Sequence, residues 1–334
     1  MIGPRRCAGP ASPASLSGFV LLAVLTLSAV TMMGQQEASQ DTPVFRATST
    51  GVSIDLSVKR GGRAVMGLTA DDFEVTDNGV RQTVEQVLQG SAPIDVTLII
   101  DASGSTATIF ETIRRHSQRI LGLLRPQDRV RVLVIETIPY ELVPLQAVGL
   151  KFALPQERLP GNLSSIYDTL LAALVTSPDP ERRRLVVALT DGIDTKSITS
   201  MQALENVARR TDTVLHLIAV HTAAVASTGP APPRSSSLGF MRDQPTKPES
   251  ELFEALPALT GGAFHGPRHD SRNKSTVDVV EAVRDVLQDF RQSYVIQYQP
   301  RDVATSGWHD IVVRVKGVDR KGVRARAGYF GEAP

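Results

Sequence analysis

One carboxylate and two hydroxyls follow an apolar run early in the chain. The run from Val96 to Ile100 ends at Asp101, and Ser103 and Ser105 then occupy alternate positions. Carboxylate and hydroxyl oxygens are hard donors that suit Mg²⁺, Mn²⁺ or Ca²⁺, whereas zinc favours nitrogen and sulfur ligands. The residue types and their spacing therefore predict an oxygen-ligated cation site rather than a zinc site.

Two further places in the chain offer oxygens in comparable positions. Ser164 and Ser165 precede a helical pattern that begins at Ile166, and Asp191 ends an apolar run that begins at Leu185. In open α/β sheets, ligands bind beyond the carboxyl ends of the strands. We therefore expect these groups to meet the oxygens of the first loop at one edge of a sheet.

The elements that must position these groups alternate between strands and helices. Strand patterns rich in β-branched residues occur at 96–100, 129–136, 185–190 and 214–221. Helical patterns occur at about 107–124, 166–176, 198–211, 250–256 and 276–290. This alternation predicts an α/β domain over residues 92–292, with a Rossmann-like, doubly wound sheet.

Some stretches within this domain depart from the alternation. Residues 137–160 are compatible with two short strands, near 140–143 and 148–152. Pro257, followed by Gly261 and Gly262, is expected to end the fourth helix. Residues 223–248 contain five prolines with several serines and glycines, a composition that favours a flexible surface insertion.

All-β segments flank the α/β domain on both sides. An alternating pattern begins at Val52 within residues 43–90, and Asp77-Asn78-Gly79 is a hairpin signal. Three strand-like runs close the chain within residues 293–330. We expect the two segments to form one β-sandwich into which the α/β domain is inserted.

The acidic residues of the first β segment lack the spacing of a calcium loop. We therefore expect them to lie on a solvated strand face and turn. These residues are Asp71, Asp72, Glu74 and Asp77.

The first 36 residues have the composition of a secretory signal peptide. Arg5 and Arg6 precede an apolar stretch from Phe19 to Val30, and small residues follow it. We expect cleavage and export to the periplasm, the cell envelope or the medium; the alternative is an uncleaved membrane anchor. Cys7, the only cysteine, lies in this segment, so the mature chain would have no thiol chemistry.

Together, these motifs resemble the metal-ion-dependent adhesion site of von Willebrand factor type A domains. The resemblance rests on Asp101-x-Ser103-x-Ser105, a hydroxyl before a helix, and a strand that ends in Thr-Asp-Gly at Asp191. Over about residues 45–330 the chain also resembles the von Willebrand factor A-related proteins abundant in Acidobacteria, which are typically exported. The matching stretches are 65–75 with 77–79, 165–168, 259–262, 294–300 and 324–330.

The resemblance implies a role for each first-loop and third-loop residue. Asp101, Ser103 and Ser105 would be ligands from the first loop, with both serines directly on the metal. Asp191 would be the acid of the third loop, bonded through water. Asp194 has two interpretations, one as part of the rim of the site and the other as an exposed turn residue.

In the second loop the family usually has threonine, and this sequence has serine. Ser164 aligns with that threonine ahead of Tyr167 and Asp168, and Ser165 is the alternative in register. Two carboxylates would only just neutralise a bound Mg²⁺, with Mn²⁺ or Ca²⁺ as alternatives. The resemblance thus implies an open coordination position, which a carboxylate of a partner protein would fill.

Charge and motifs weigh against other classes of function. Lys and Arg number 36 and Asp and Glu 35, a balance that gives no reason to expect nucleic acid as a partner. Phosphate-binding and nucleophile-elbow motifs are missing, and the six histidines form no evident cluster in the sequence. We therefore expect a non-enzymatic, metal-dependent protein-binding module. The alternatives are an envelope scaffold with a vestigial site and, less favoured, a hydrolase.

Overall fold

A computed structural model gives the fold, and it describes most of the chain. The described residues are 51–90, 92–103, 106–148, 163–175, 179, 181–220, 249–266 and 278–331. The expected signal peptide, Ser105, the second strand predicted near 148–152 beyond Val148, and the insertion at 223–248 lie outside these ranges. Among the described helices, none combines the length and the apolar composition needed to cross a membrane.

The described elements comprise fifteen strands and five α-helices. The strands are β1 (Val52–Arg60), β2 (Arg63–Ala64), β3 (Phe73–Asp77), β4 (Val80–Gln82), β5 (Gln86–Gln89), β6 (Ile94–Asp101), β7 (Arg129–Ile135), β8 (Tyr140–Ala147), β9 (Arg183–Thr190), β10 (Val214–Ala219), β11 (Phe264–His265), β12 (Tyr294–Tyr298), β13 (Gly307–Val315), β14 (Val323–Ala325) and β15 (Gly328–Gly331). The helices are α1 (Ala107–Leu121), α2 (Ile166–Leu174), α3 (Met201–Ala208), α4 (Glu249–Leu259) and α5 (Val279–Gln292).

A six-stranded sheet in the order β11-β10-β9-β6-β7-β8 forms the centre of the α/β part. Its strands are parallel except β8, which runs antiparallel to β7 at one edge. The chain leaves β6 for β7 on one side and later returns to β9 on the other, so the carboxyl end of β6 is the switch point of the sheet. The predicted Rossmann-like, doubly wound fold is confirmed, and β8 is the one strand seen in the described part of 137–160.

Helices cover both faces of this sheet. Helices α1 and α5 pack on one face, where Phe110 and Leu287 join a core with Val96. Helices α2, α3 and α4 pack on the other face, where Leu170 and Leu204 contribute to a second core. Every residue of β6 is buried, which explains why this strand is a nearly continuous apolar run.

The prediction that Pro257 ends the fourth helix is wrong. Helix α4 continues through Pro257 to Leu259. Because proline removes only one hydrogen bond, its cost is small in a last turn that is closed in another way. Gly262 donates to the carbonyl of Pro257 at 2.9 Å, Thr260 does so through its hydroxyl, and Gly261 adopts φ +82°. The two glycines thus cap this helix rather than break it.

The two flanking segments pair in both sheets of a β-sandwich. One sheet has the order β14-β1-β12-β5, with β2 attached to β1, and the other has the order β15-β13-β3-β4. Ile54 pairs with Ile296 in the first sheet, and Val75 pairs with Val313 in the second. Side chains of both sheets share one buried core. The predicted sandwich is therefore seen in the described strands, and the predicted domain limits stay predictions.

The expectation that Asp77 is solvated is wrong. Asp77 is fully buried in the sandwich and accepts hydrogen bonds from His309 Nδ1 at 2.8 Å and from Tyr298 and Tyr329, each at 2.9 Å. Burial, together with the neighbouring Asp77 charge, raises the pKa of both tyrosines. Asn78 and Gly79 adopt positive φ and form the predicted two-residue hairpin turn. The other three acidic residues of the segment are exposed or half-buried, so the expectation fails for Asp77 alone.

Ionic contacts join the sandwich to the α/β part. Asp289 on α5 is nearly buried and contacts Lys59 and Arg324, both of which belong to the sandwich. The Ser57 hydroxyl donates to the same carboxylate at 3.0 Å. Burial by itself raises the pKa of Asp289, but Arg324 and Lys59 outweigh burial, so the net effect is a lowered pKa.

The Asp289 contacts predict a pH-dependent contribution to stability. We expect Asp289→Asn to lower the free energy of unfolding at pH 7 by about 2 kcal/mol, because it leaves two partly exposed cations without their partner. Because the pKa of Asp289 is lowered on folding, this contribution is complete above the unfolded pKa of about 4 and is lost as the pH falls toward the folded value. Urea unfolding between pH 3 and pH 7 measures the effect.

The exposed variant Glu254→Gln on α4 is the matched control for the loss of one acidic charge. It should show no such pH-dependent difference from the wild type. Equal behaviour of the two variants across this pH range would contradict the assigned role of Asp289.

Candidate metal centre

Asp101 is the most deeply placed acidic group at the carboxyl edge of the α/β sheet. Its side chain is 0% exposed. Its Oδ1 accepts from the Ser103 backbone N–H at 3.0 Å and lies 2.9 Å from the Thr106 hydroxyl, and its Oδ2 accepts from the Thr190 hydroxyl at 2.7 Å. All three of these donors are neutral. Among the described residues, no positively charged side chain contacts the buried Asp101 carboxylate. A buried charge in this state is costly unless a cation compensates it.

Ser103 and Thr106, the described residues at the two ends of the first loop, contact each other. Thr106 donates its backbone N–H to the carbonyl of Ser103 at 3.1 Å, and the two hydroxyl oxygens lie 3.1 Å apart. Ser103 is buried beside Asp101, and its role as a ligand stays a prediction. Thr106 and Thr190 were not among the predicted site residues. In the sequence, Thr190 directly precedes Asp191, and Thr106 lies five positions after Asp101.

In the second loop, the two serines differ in what their hydroxyls do. The Ser165 hydroxyl donates to the carbonyl of Glu136 at 2.5 Å, and its backbone N–H donates to the same carbonyl at 2.9 Å. Ser164 is 4% exposed and is held through its backbone by Thr195, at 2.8 Å and 2.9 Å. Its hydroxyl has no hydrogen-bond partner in the described part of the chain. The geometry therefore favours Ser164 over Ser165 as a ligand.

The third loop begins at the predicted Asp191. This residue follows β9 directly, is partly exposed, and accepts from the Ile193 N–H at 3.0 Å. Because β9 is paired with β6, Asp191 lies beyond the strand end next to that of Asp101. The structure thus places Asp101, Ser103, Ser164 and Asp191 in three loops at one sheet edge.

Asp194 is half-buried, so it is not the exposed turn residue of one interpretation, and its role in the rim of the site stays a prediction. Its Oδ1 accepts from the backbone N–H groups of Ile166 and Tyr167, at 2.8 Å and 3.3 Å, and from the Ser197 hydroxyl at 2.6 Å. These N–H groups belong to the first turn of α2, which lacks acceptors within the helix. Asp194 therefore caps α2 from a distant loop. Because it lies 28 positions from Ile166 in the chain, no local sequence pattern predicts this contact.

Asp168 on α2 makes a second set of hydrogen bonds between this helix and the loop. Its carboxylate accepts from the backbone N–H groups of Ile198 and Thr199, at 2.9 Å and 2.8 Å. Burial raises the pKa of Asp168, but hydrogen bonds from Thr199 and Ile198 outweigh burial, and the net effect is a lowered pKa. The third loop is thereby fastened to α2, so that the Ser164 and Asp191 segments are held in fixed relation.

Glu136 is a third carboxylate at this edge that the sequence analysis missed. It follows β7 directly, and its backbone carbonyl anchors Ser165. Burial raises the pKa of Glu136, and its Oε1 is buried without a hydrogen-bond partner. From the sequence, Glu136 is predicted only as the last residue of a strand. No local pattern distinguishes a strand that ends at a functional site from a strand that ends elsewhere.

The donor set fits a divalent cation bound mainly by hydroxyls and carboxylates. Among the described residues, the buried Asp101 carboxylate has no positive partner and Glu136 Oε1 has no hydrogen-bond donor. The Ser164 hydroxyl is also unengaged by the described residues. Within the described ranges, no group of three or more His, Cys, Asp or Glu side chains is arranged to hold a metal, so a cation here would depend on hydroxyl ligands. The individual ligand assignments stay predictions, and Ser105 lies outside the described residues.

The histidines are closer together than the sequence suggested. His216 Nδ1 lies 2.9 Å from His265 Nε2, and the rings are stacked. Burial lowers the pKa of His216, and Arg324 lowers it further. The pair lies on β10 and β11, on the strands rather than in the three loops.

Comparison with known proteins found similar solved structures, each at low sequence identity. Among the solved structures to which the chain is similar, several are von Willebrand factor type A proteins. One is the von Willebrand factor type A protein from Catenulispora acidiphila, at 12% identity and a TM-score of 0.44, covering 76% of this chain and 71% of that one. Another is the ArnB paralog VWA2 from Sulfolobus acidocaldarius, at 9% identity and a TM-score of 0.42, covering 79% and 70%.

A third similar structure was solved with its adhesion motif occupied. It is proximal thread matrix protein 1 from the mussel byssus, with a zinc-occupied MIDAS motif, at 13% identity and a TM-score of 0.44, covering 65% of this chain and 50% of that one. No family model and no curated protein matches the chain. The sequence identities of these structures to the chain are 9% to 13%, which is too low to assign a function.

The Thr190 hydroxyl bond to Asp101 can be tested by an isosteric substitution. We expect Thr190→Val to lower the free energy of unfolding in EDTA by about 2 kcal/mol, because it leaves a buried carboxylate oxygen with one donor fewer. Urea unfolding measures the difference.

Thr213 provides a control of the same chemistry, since its hydroxyl is buried without a hydrogen-bond partner. Thr213→Val removes an unsatisfied polar group and should leave stability unchanged or raise it. The assignment would be wrong if Thr213→Val were as destabilising as Thr190→Val.

Proposed function

We propose that this protein is a non-enzymatic binding module that engages a partner protein through a divalent cation. Asp101, Ser103, Ser105, Ser164 and Asp191 would hold the cation, with Mg²⁺ as the expected ion and Mn²⁺ or Ca²⁺ as alternatives. The observation that carries the proposal is the Asp101 carboxylate, fully buried and hydrogen-bonded only to neutral groups in the described structure. The motif resemblance to von Willebrand factor type A domains agrees with it.

The protein's own residues divide the work of such a site. Asp101 contributes charge, and the hydroxyls of Thr106 and Thr190 fix the orientation of its two oxygens. Asp168 and Asp194 hold the third loop against α2, so the loops are positioned before any ligand binds. The bound cation would supply an electrophilic position for a carboxylate of the partner.

Binding is favoured over catalysis by the burial of the hydroxyls nearest to Asp101. Thr106 and Thr190 are both buried, and the Thr190 hydroxyl donates to the Asp101 carboxylate. A nucleophile must reach a reacting atom in a substrate, which these two hydroxyls cannot do from inside the fold. Their position suits the fixing of a ligand residue.

A metal titration tests the proposed function directly. In wild type, Mg²⁺ should raise the free energy of unfolding, by about 2.7 kcal/mol at a concentration 100 times its Kd. Asp101→Asn should lose this response. In EDTA the variant should be at least as stable as the wild type, because the substitution removes a buried charge. Thermal unfolding with Mg²⁺, Mn²⁺ and Ca²⁺ measures both effects.

Asp71→Asn, an exposed substitution in the sandwich, is the matched control and should keep the full metal response. A metal response that survives in Asp101→Asn would place the ion elsewhere and overturn the proposal. No response in the wild type would instead support the alternative, an envelope scaffold with a vestigial site.

We further propose that the protein acts outside the cytoplasm. The support is the sequence of residues 1–36, with a basic start and an apolar stretch from Phe19 to Val30. Expression of the full chain in a bacterial host should yield a product shortened by about 36 residues in the periplasm or medium. Intact mass measurement of each cell fraction tests this, and a full-length product in the membrane fraction would favour the anchor instead.

A further inference from the structure

A cavity lies where the sandwich meets the α/β part, away from the three loops of the candidate metal centre. Its volume is about 540 Å³, within the range of small-molecule sites in proteins. Met66, Gln89 and Gly90 line it from the sandwich, and the segment after α1 and the helix α5 line it from the other side. Both parts of the chain therefore contribute to one open cavity.

Three arginines lie in the walls of this cavity, and their partners differ. Arg291 contacts the buried Asp128, and Arg284 contacts Glu281 on the same helix. The Arg125 guanidinium donates to the carbonyl of Gly90 at 3.1 Å and forms no ion pair with a described carboxylate. The backbone N–H of Arg125 donates to Asp128 Oδ2 at 2.8 Å. Two of the three positive charges are thus balanced by acidic residues. Among the described residues, Arg125 is the one cation of this cavity whose guanidinium has no acidic partner, and it is exposed.

The rest of the lining is apolar or amide in character. Leu123, Leu287 and Met66 supply apolar surface, and Met66 is 57% exposed. The amide of Gln89 donates to Met66 Sδ at 3.2 Å and to the carbonyl of Gln292 at 3.4 Å. The second of these bonds crosses from the sandwich to α5, so the walls are in contact without a ligand. A site formed in advance loses less free energy to ordering when it binds.

We propose that this cavity binds a small monocarboxylate that carries an apolar chain. The planar fork of Arg125 matches a carboxylate in geometry, and one uncompensated positive charge matches a single negative charge. The apolar chain would lie against Leu123, Leu287 and Met66, where its removal from water contributes about 25 cal/mol per Å². This site is separate from the metal centre and needs no metal ion.

Calorimetric titration of the full-length protein in EDTA tests the proposal, with octanoate as the probe at concentrations below its aggregation. Octanoate should bind saturably, and acetate should bind at least about tenfold more weakly because it lacks the apolar chain. Octan-1-ol and inorganic phosphate should show no saturable binding. Saturable binding of octan-1-ol or phosphate as tight as that of octanoate would overturn the monocarboxylate assignment.

Two substitutions locate the binding. Arg125→Gln should weaken octanoate binding about tenfold or more, since one charge-assisted contact is lost. Met66→Ser should weaken the binding of octanoate but not that of acetate. Arg115→Gln, an exposed arginine on α1 outside the cavity, should bind octanoate as the wild type does.

Thermal unfolding confirms that each variant is folded before titration. Wild-type affinity in folded Arg125→Gln would overturn the proposal, and so would an absence of saturable octanoate binding to wild type. Neither result bears on the metal centre, because every titration is made in EDTA.

Discussion

The burial of one carboxylate without a positive partner is the constraint around which the described α/β part is arranged. Asp101 lies at the end of a strand whose every residue is buried, at the switch point where β6 separates β7 from β9. Desolvation of a charged group costs several kcal/mol unless other groups compensate it. The fold supplies hydrogen bonds from Ser103, Thr106 and Thr190, but no cation from its described residues. A bound metal ion would offset the remaining cost, because its positive charge would replace the favourable interaction with water that the carboxylate loses on burial.

The sandwich and the α/β part depend on each other through a few buried ionic contacts. The chain passes from α5 into β12 within two residues, so the helix end and the first sheet are fixed to each other. Arg183 of β9 reaches Asp55 of β1 at 2.9 Å and the carbonyl of Phe290 at 3.0 Å, with its guanidinium over the Phe290 ring. Together with the Asp289 contacts, this makes the inserted α/β part an extension of the sandwich rather than a freely hinged unit.

The features that could be predicted from the sequence are those that depend on local pattern. The buried run before Asp101, the Asn78-Gly79 turn and the alternation of strands and helices each carry their signal within a few neighbouring residues. The roles of Asp77 and Asp194 depend instead on partners far away in the chain, with His309 232 positions from Asp77. Pro257 in α4 is a different case, because the glycine cap that closes the last turn lies within five residues of it. Long-range contacts thus reverse several local expectations without changing the fold.

The same distinction separates the predicted ligand residues from the residues that position their loops. Asp101, Ser103 and Asp191 occur in spacings that the sequence displays, whereas Glu136, Asp168 and Asp194 act through contacts between loops. Asp194 and Asp168 exchange hydrogen bonds between the third loop and α2, which removes freedom from both segments before a ligand arrives. A cation that enters loops already ordered loses less of its binding free energy to conformational entropy. A serine in place of threonine in the second loop is therefore compatible with a working site, because Ser164 is positioned by its backbone contacts with Thr195 rather than by a packed methyl group.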